Sequence, residues 1–130
     1  MQWPDLISSL QTRYRDVRSF PGDLIRFTGD HEGREVSFGG WPCRSTAGRL
    51  WLAVAVKVCP VDRLRARTSL VVSATLPIGG LAIAHDQVVL RQTLPLDGLR
   101  DADLDLSLQL LATTVASLQD PAGPHAGMFR

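Results

Sequence analysis

The chain has little cysteine and little histidine, two and three residues among 130. Cys43 and Cys59 are too few for a disulfide framework, and neither belongs to a Cys-x-x-Cys motif. We therefore expect free thiols in a reducing compartment, with an extracellular bridge as the less favoured alternative. No two histidines have the spacing of a zinc site, so we predict no metal.

An excess of charge and a long hydrophobic run are also missing. The formal net charge is +1, which gives no general attraction to nucleic acid or to anionic membranes. No stretch of about 18 apolar residues could span a bilayer, and the N-terminus lacks the basic start and apolar core of a signal peptide. We expect a cytoplasmic protein that binds neither nucleic acid nor membrane.

Motifs for catalysis and cofactor binding are absent as well. The glycine pairs at 39–40 and 79–80 are not followed by the residues of a phosphate-binding loop. Asp101, Asp103 and Asp105 lack the glycine and closing glutamate of a calcium loop, and a helix start explains them better. We predict a non-enzymatic protein without catalytic residues or cofactors.

The residues that are present describe an ordinary globular chain, 45% hydrophobic and 21% charged. Its length suits one domain with a real core. Pro121 and Pro124 break the last helical pattern. We therefore predict a single domain over residues 1–120 and a flexible tail over 121–130.

Hydrophobic periodicity predicts the elements of the first half. Residues 3–17 have a helical apolar face, and residues 23–28 and 34–38 alternate as strands, the second ended by Gly39 to Pro42. Residues 50–59 form the strongest strand, with Leu50 to Val58 on one face and Trp51 to Cys59 on the other. Residues 60–74 predict a second helix, although Val71 and Val72 weaken that interpretation.

The second half predicts a hairpin of residues 81–85 and 88–94, followed by a helix with Asp101 as its N-cap. Five residues form the apolar stripe of that helix: Leu104, Leu108, Leu111, Val115 and Leu118. The predicted order is α-β-β-β-α-β-β-α. This pattern indicates an α+β fold, a two-layer sandwich with one antiparallel sheet.

This order of elements resembles the YbjN family, which shares its fold with the type III secretion chaperones, the Tir-chaperone-like class. The matching sequence is Leu76-Pro77, Gly79 and the run Leu81 to Ile83, then residues 88–96 and the final helix. The order agrees over most of the chain, but the sequence agrees only over residues 76–118. The resemblance implies a small bacterial protein, often dimeric, that binds another protein and is not an enzyme.

Two apolar surfaces remain as candidate contacts with a partner or a second copy. The first is a predicted sheet face that the second helix either covers or leaves open, with Trp51, Ala53, Ala55, Ala82, Ala84, Val89 and Arg91. The second is the pair Leu106 and Leu110, outside the main stripe of the last helix unless the buried face is broad. Trp41 and Trp51 are candidate anchors or core residues.

We therefore predict a protein-binding homodimer, a chaperone or adaptor. A regulatory module that binds a small ligand, with Arg91 in its pocket, is the alternative.

Overall fold

A computed structural model describes residues 1–63, 65–76 and 79–123 of the chain. It confirms the α+β class: helices pack on an antiparallel sheet. The helices are α1 (Trp3–Arg13), α2 (Ala66–Thr75) and α3 (Asp101–Gln119), and the strands are β1 (Arg15–Phe20), β2 (Leu24–His31), β3 (Arg34–Arg44), β4 (Leu50–Pro60), β5 (Gly80–Ala84) and β6 (Gln87–Pro95). Short 3-10 turns follow β1 and β4, at Pro21–Asp23 and Val61–Arg63.

The sheet has six strands in the order β1-β2-β3-β4-β6-β5, and every neighbouring pair is antiparallel. The strands β3 and β4 lie at its centre, so the apolar run from Leu50 occupies the most protected position. The strands β1 and β5 are the two edges.

The core lies between one face of the sheet and the helices. Its buried residues alternate along the strands, for example Ile25 and Phe27 of β2, and Leu52, Val54 and Val56 of β4. The predicted stripe of α3 faces this layer, and each of its five residues is at most 4% exposed. Leu6 and Leu10 of α1 and Val72 of α2 are buried in the same cluster. All three helices therefore contribute to one core on one side of the sheet.

The first helix is four residues shorter than predicted. It ends at Arg13, and residues 15–20 form an edge strand, so the sheet gains a sixth strand. Tyr14 already has extended backbone angles, and a bulge between Arg15 and Arg18 accompanies a left-handed Asp16. Tyr14 and Val17 still pack against the core. Their burial matches the helical pattern although their backbone does not.

Other ends of strands and helices also differ from the predicted ones. Pro42 does not end β3, because β2 begins only at Leu24 and no strand faces the proline on that side. The second helix starts at Ala66, because Pro60 still pairs with Gln87 in the sheet. The N-cap of α3 is Arg100, with Asp101 as its first residue. Of the predicted tail, residues 124–130 lie outside the described part of the chain.

A polar cluster joins the end of α1 to the start of α3. Asp105 accepts hydrogen bonds from the Arg13 guanidinium and from the Tyr14 hydroxyl, the latter at 2.7 Å. Arg13 also donates to the Ser9 hydroxyl, which donates to Asp101. Burial first, and then the hydrogen bond and charge of Asp105, raise the pKa of Tyr14 well above its usual value. The cluster fixes the point where the chain leaves α1 and enters the sheet.

We expect Asp105→Ala to lower the free energy of unfolding by about 1–2 kcal/mol, because Tyr14 and Arg13 lose a shared charged acceptor. The measurement is urea denaturation at constant m-value. Asp103→Ala is the matched control: its carboxylate bonds only to the exposed Arg100 and should leave the midpoint nearly unchanged. Equal midpoints for both variants would contradict this role for Asp105.

Candidate functional site: the open face of the sheet

The face of the sheet opposite the core, here named the open face, carries no helix among the described elements. Strand alternation places these residues on it: Arg18, Phe20, Leu24, Arg26, Gly39, Trp41, Cys43, Trp51, Ala53, Ala55, Lys57, Ala82, Ala84, Val89, Arg91 and Thr93. The second helix directs its buried Val72 into the core on the other side. The sequence left open whether this helix covers the face, and the described part of the chain leaves it uncovered.

The floor of the open face consists of small side chains. Ala53, Ala55 and Val89 are at most 6% exposed, yet they lie outside the core cluster. Larger side chains shield them from the same side, and Trp41 and Trp51 are both half-buried. The result is a shallow surface with an apolar floor and aromatic walls.

Arg91 reaches across this floor. Its guanidinium carbon lies 5.8 Å from the centroid of the Trp41 ring, and one of its nitrogens lies 4.0 Å from the Cys43 sulfur. A cation over an indole ring is attracted by the ring quadrupole. The Nε of Arg91 and the indole nitrogen of Trp51 are buried and have no acceptor among the described residues. This part of the face therefore holds donors that its own neighbours do not satisfy.

One row of directly paired residues crosses all six strands of the open face. The register pairs Arg18 with Arg26, Arg26 with Gly39, Gly39 with Ala55, Ala55 with Arg91 and Arg91 with Gly80. A Cβ built on Gly39 or on Gly80 would meet nothing within 4 Å. We name this line of residues the central row. It has arginines towards both ends and open space above its glycines.

Cations outnumber carboxylates on the open face. Its register places Asp30 and Glu35 there, and both form ion pairs with Arg15. Within the described ranges, Arg18, Arg26, Lys57 and Arg91 form no ion pair. Arg26 lies over the Phe20 ring, at 5.6 Å from its centroid. The face thus combines a small apolar floor with four cations that have no carboxylate partner there.

The predicted contact residues fall on two separate surfaces. Trp41, Trp51, Ala53, Ala55, Val89 and Arg91 share the open face, whereas Leu106 and Leu110 lie on α3, on the opposite layer. These leucines are 55% and 41% exposed, so the buried face of α3 is not broad enough to include them. Cys59 was expected on the Trp51 face, but a bulge after Lys57 turns it into the core, where burial raises the pKa of its thiol.

Sequence reasoning missed Arg18 and Phe20, because it assigned residues 15–17 to a helix and left 18–20 outside any strand. The alternation of Val17 and Ser19 with Arg18 and Phe20 is the signal that could have identified an edge strand. Arg26 was placed on the polar side of its strand but was not connected with the candidate face. Only the strand register brings these residues together.

Side chains that could bind a metal ion do not cluster in the described ranges. They contain no group of three or more His, Cys, Asp and Glu side chains placed to hold a metal ion. His31 instead shares a hydrogen bond of 2.9 Å with the Thr113 hydroxyl. None of the described helices is both long enough and apolar enough to cross a membrane.

Comparison with known proteins adds no relative. No family model matches the chain, and no curated protein matches it in sequence. The resemblance to YbjN and to the type III secretion chaperones therefore stays a prediction from the motifs at residues 76–118.

Proposed function

We propose that this chain is a non-enzymatic protein-binding module, a chaperone or adaptor that resembles YbjN and the type III secretion chaperones. The observation that carries the proposal is the open face, where small apolar residues lie between Trp41, Trp51 and Arg91 without a covering helix. Aromatic and arginine side chains around a desolvated centre are typical of protein contacts. A cytoplasmic location, expected from the sequence, belongs to the same proposal.

A polypeptide can occupy such a sheet in two ways. A segment can lie over the open face, or it can add a strand to a free edge, β1 or β5. The open face is the better supported of the two, because it offers apolar area together with charged side chains. The edge β5 has only five residues and offers few backbone groups.

The alternative function is a regulatory module that binds a small ligand on the same face. A depression at this part of the sheet is lined by residues of both sheet faces and of α3, and on the open face by Leu24, Arg26, Trp41, Ala55, Lys57 and Val89. Its cations and aromatic wall would suit a small anion. A rise in the melting temperature of the chain on adding a small anionic compound, together with no protein captured from lysate, would support this alternative.

The test of the proposed function is capture of the tagged full chain from a lysate of its native host, followed by mass spectrometry and crosslinking. We expect one protein in near-stoichiometric yield, crosslinked to residues of the open face. Trp51→Ala should reduce the yield strongly, whereas Gln109→Ala, at an exposed position of α3, serves as a control on the other layer. Recovery of the bait alone, in repeated captures with reversible crosslinker, would count against a protein-binding function.

The proposal includes a homodimer formed at the edge where α2 meets β5. Three exposed aliphatic side chains lie on these two elements: Leu70 at 74%, Val71 at 49% and Ile83 at 66%. Exposed apolar residues grouped on adjacent elements mark contact surfaces, and an edge strand is a ready site for a second copy.

We expect light scattering to give twice the chain mass at micromolar concentration, and Ile83→Lys to give the monomer mass at the same concentration. Thr93→Lys, on the open face, should leave the dimer intact. A monomer mass for the unmodified chain across the dilution series would overturn the dimer, and a dimer that survives Ile83→Lys would move its contact elsewhere.

A further inference from the structure

We propose that the open face binds an extended acidic segment of a partner protein, with its carboxylates on the arginines of the central row. The inference rests on the proposed function and specifies the chemistry of the partner. Two carboxylate groups would lie at Arg18 with Arg26 and at Arg91, and small or aliphatic side chains would lie between them over Gly39 and Ala55.

Charge is distributed unequally between the two layers of the fold. The three helices together carry four carboxylates, those of Asp5, Asp101, Asp103 and Asp105, against two cations, Arg13 and Arg67. The open face carries five cations, because the pairing of Arg15 with Thr28 adds Arg15 to the four named above, against Asp30 and Glu35, which are both paired with Arg15. The whole chain has a formal net charge of only +1. The positive potential is thus concentrated on the uncovered face, where it attracts and orients an acidic partner.

The spacing of the arginines in the central row suits an extended polypeptide. Arg18 and Arg26 are direct neighbours across β1 and β2, and Arg91 follows three strands further along. At about 4.8 Å between strands, the Cα atoms of Arg26 and Arg91 lie roughly 14 Å apart. An extended chain covers this distance in about four residues. The open space above Gly39 leaves room for its backbone between the arginines.

The state of the aromatic rings favours a polypeptide over single-stranded nucleic acid. Bases bind such surfaces by stacking on free aromatic faces. Here a guanidinium already lies over the Trp41 ring and another over the Phe20 ring, and the indole nitrogen of Trp51 is buried. Guanidinium groups held in this way present donors that pair with carboxylates.

The experiment measures fluorescence anisotropy of a labelled peptide in which two Glu-Glu pairs flank a Val-Ala-Val-Ala spacer. We expect saturable binding that weakens as sodium chloride is raised, because screening reduces the attraction between charges. The same peptide with Gln in place of Glu should bind at least about tenfold more weakly. Oligothymidylate and phosphatidylglycerol vesicles, tested in parallel, represent the competing anionic partners.

Two kinds of variant locate the binding site. Arg26→Glu with Arg91→Glu should weaken peptide binding at least about tenfold. Arg34→Glu with Arg49→Glu changes the net charge equally, but Arg34 lies on the core side of β3 and Arg49 in the loop before β4, so binding should persist. Gly39→Val fills the open space over the central row without altering charge and should also weaken binding about tenfold. Unchanged melting temperatures will show that these variants fold.

Three outcomes overturn the inference, and the first two are no saturable binding of the acidic peptide and binding that both double variants weaken equally. Tighter binding of oligothymidylate or vesicles than of the peptide also overturns it. The proposed function has a separate readout. A protein captured from lysate whose binding tolerates Arg26→Glu with Arg91→Glu and Gly39→Val would leave the protein-binding function in place and reject the acidic segment.

Discussion

Leu108→Ala is expected to lower the free energy of unfolding by about 3 kcal/mol. Leu108 is 1% exposed and lies in the centre of the buried stripe, between Leu104 and Leu111. Its removal leaves a cavity against the sheet that close-packed neighbours fill only in part. The measurement is chemical denaturation of the purified chain at several protein concentrations, so that dissociation of any oligomer is separated from unfolding.

Leu106→Ala is the matched control for this prediction. It removes the same atoms from the same helix, but Leu106 is 55% exposed, so we expect a change within about 0.5 kcal/mol. If Leu106 contacts a partner, its substitution will reduce capture while leaving unfolding unchanged. Similar losses of stability for both variants would mean that α3 packs on the sheet through a different face.

Burial in this chain was easier to predict from the sequence than backbone conformation. The stripe of α3 repeats over five residues, so its face followed from periodicity alone. In contrast, Tyr14 and Val17 fit the helical pattern of α1 and do contact the core, but they reach it from an extended chain. A pattern of buried positions cannot separate these cases when a bulge changes the period of a strand.

Local signals for the ends of strands were misleading in β3. Glycines 39–40 and Pro42 are residues that commonly end a strand, and they predicted one here. The strand continues to Arg44 because its pairing with β4 supplies the missing support: Gly40 pairs with Val54 and Pro42 with Leu52. This support depends on the neighbouring strand, which single-sequence reasoning does not place.

About half of the residues of the open face could be assigned to it from the sequence. Alternation along β4 and β6 was enough to group Trp51, Ala53 and Ala55 with Val89 and Arg91. The side of β1 and β2, with Arg18 and Arg26, required the strand order and register. Charge on a surface depends on which strands become neighbours, and composition, at a net charge of +1, gave no sign of a cationic patch.

Substitution of Gly39 and Gly40, adjacent residues of β3, tests directly which side of the sheet packs against the core. A Cβ at Gly40 would lie 3.0 Å from Ile25 Cγ1 and 3.2 Å from its Cδ1, with Leu52 at 3.5 Å. We therefore expect Gly40→Val to lower the free energy of unfolding by about 1–3 kcal/mol, because the larger side chain overpacks a filled core. The measurement is the urea midpoint at constant m-value.

Gly39→Val is the control, one residue away in the same strand. Its Cβ would meet nothing within 4 Å, and valine suits a strand better than glycine does. Its free energy of unfolding should therefore stay equal to the wild-type value or rise slightly. Since the two variants share chemistry, strand and solvent conditions, only the direction of the side chain separates them. A loss of stability confined to Gly39→Val would place the core on the open face and remove the basis for a binding surface there, whereas the expected order keeps that face free for a partner.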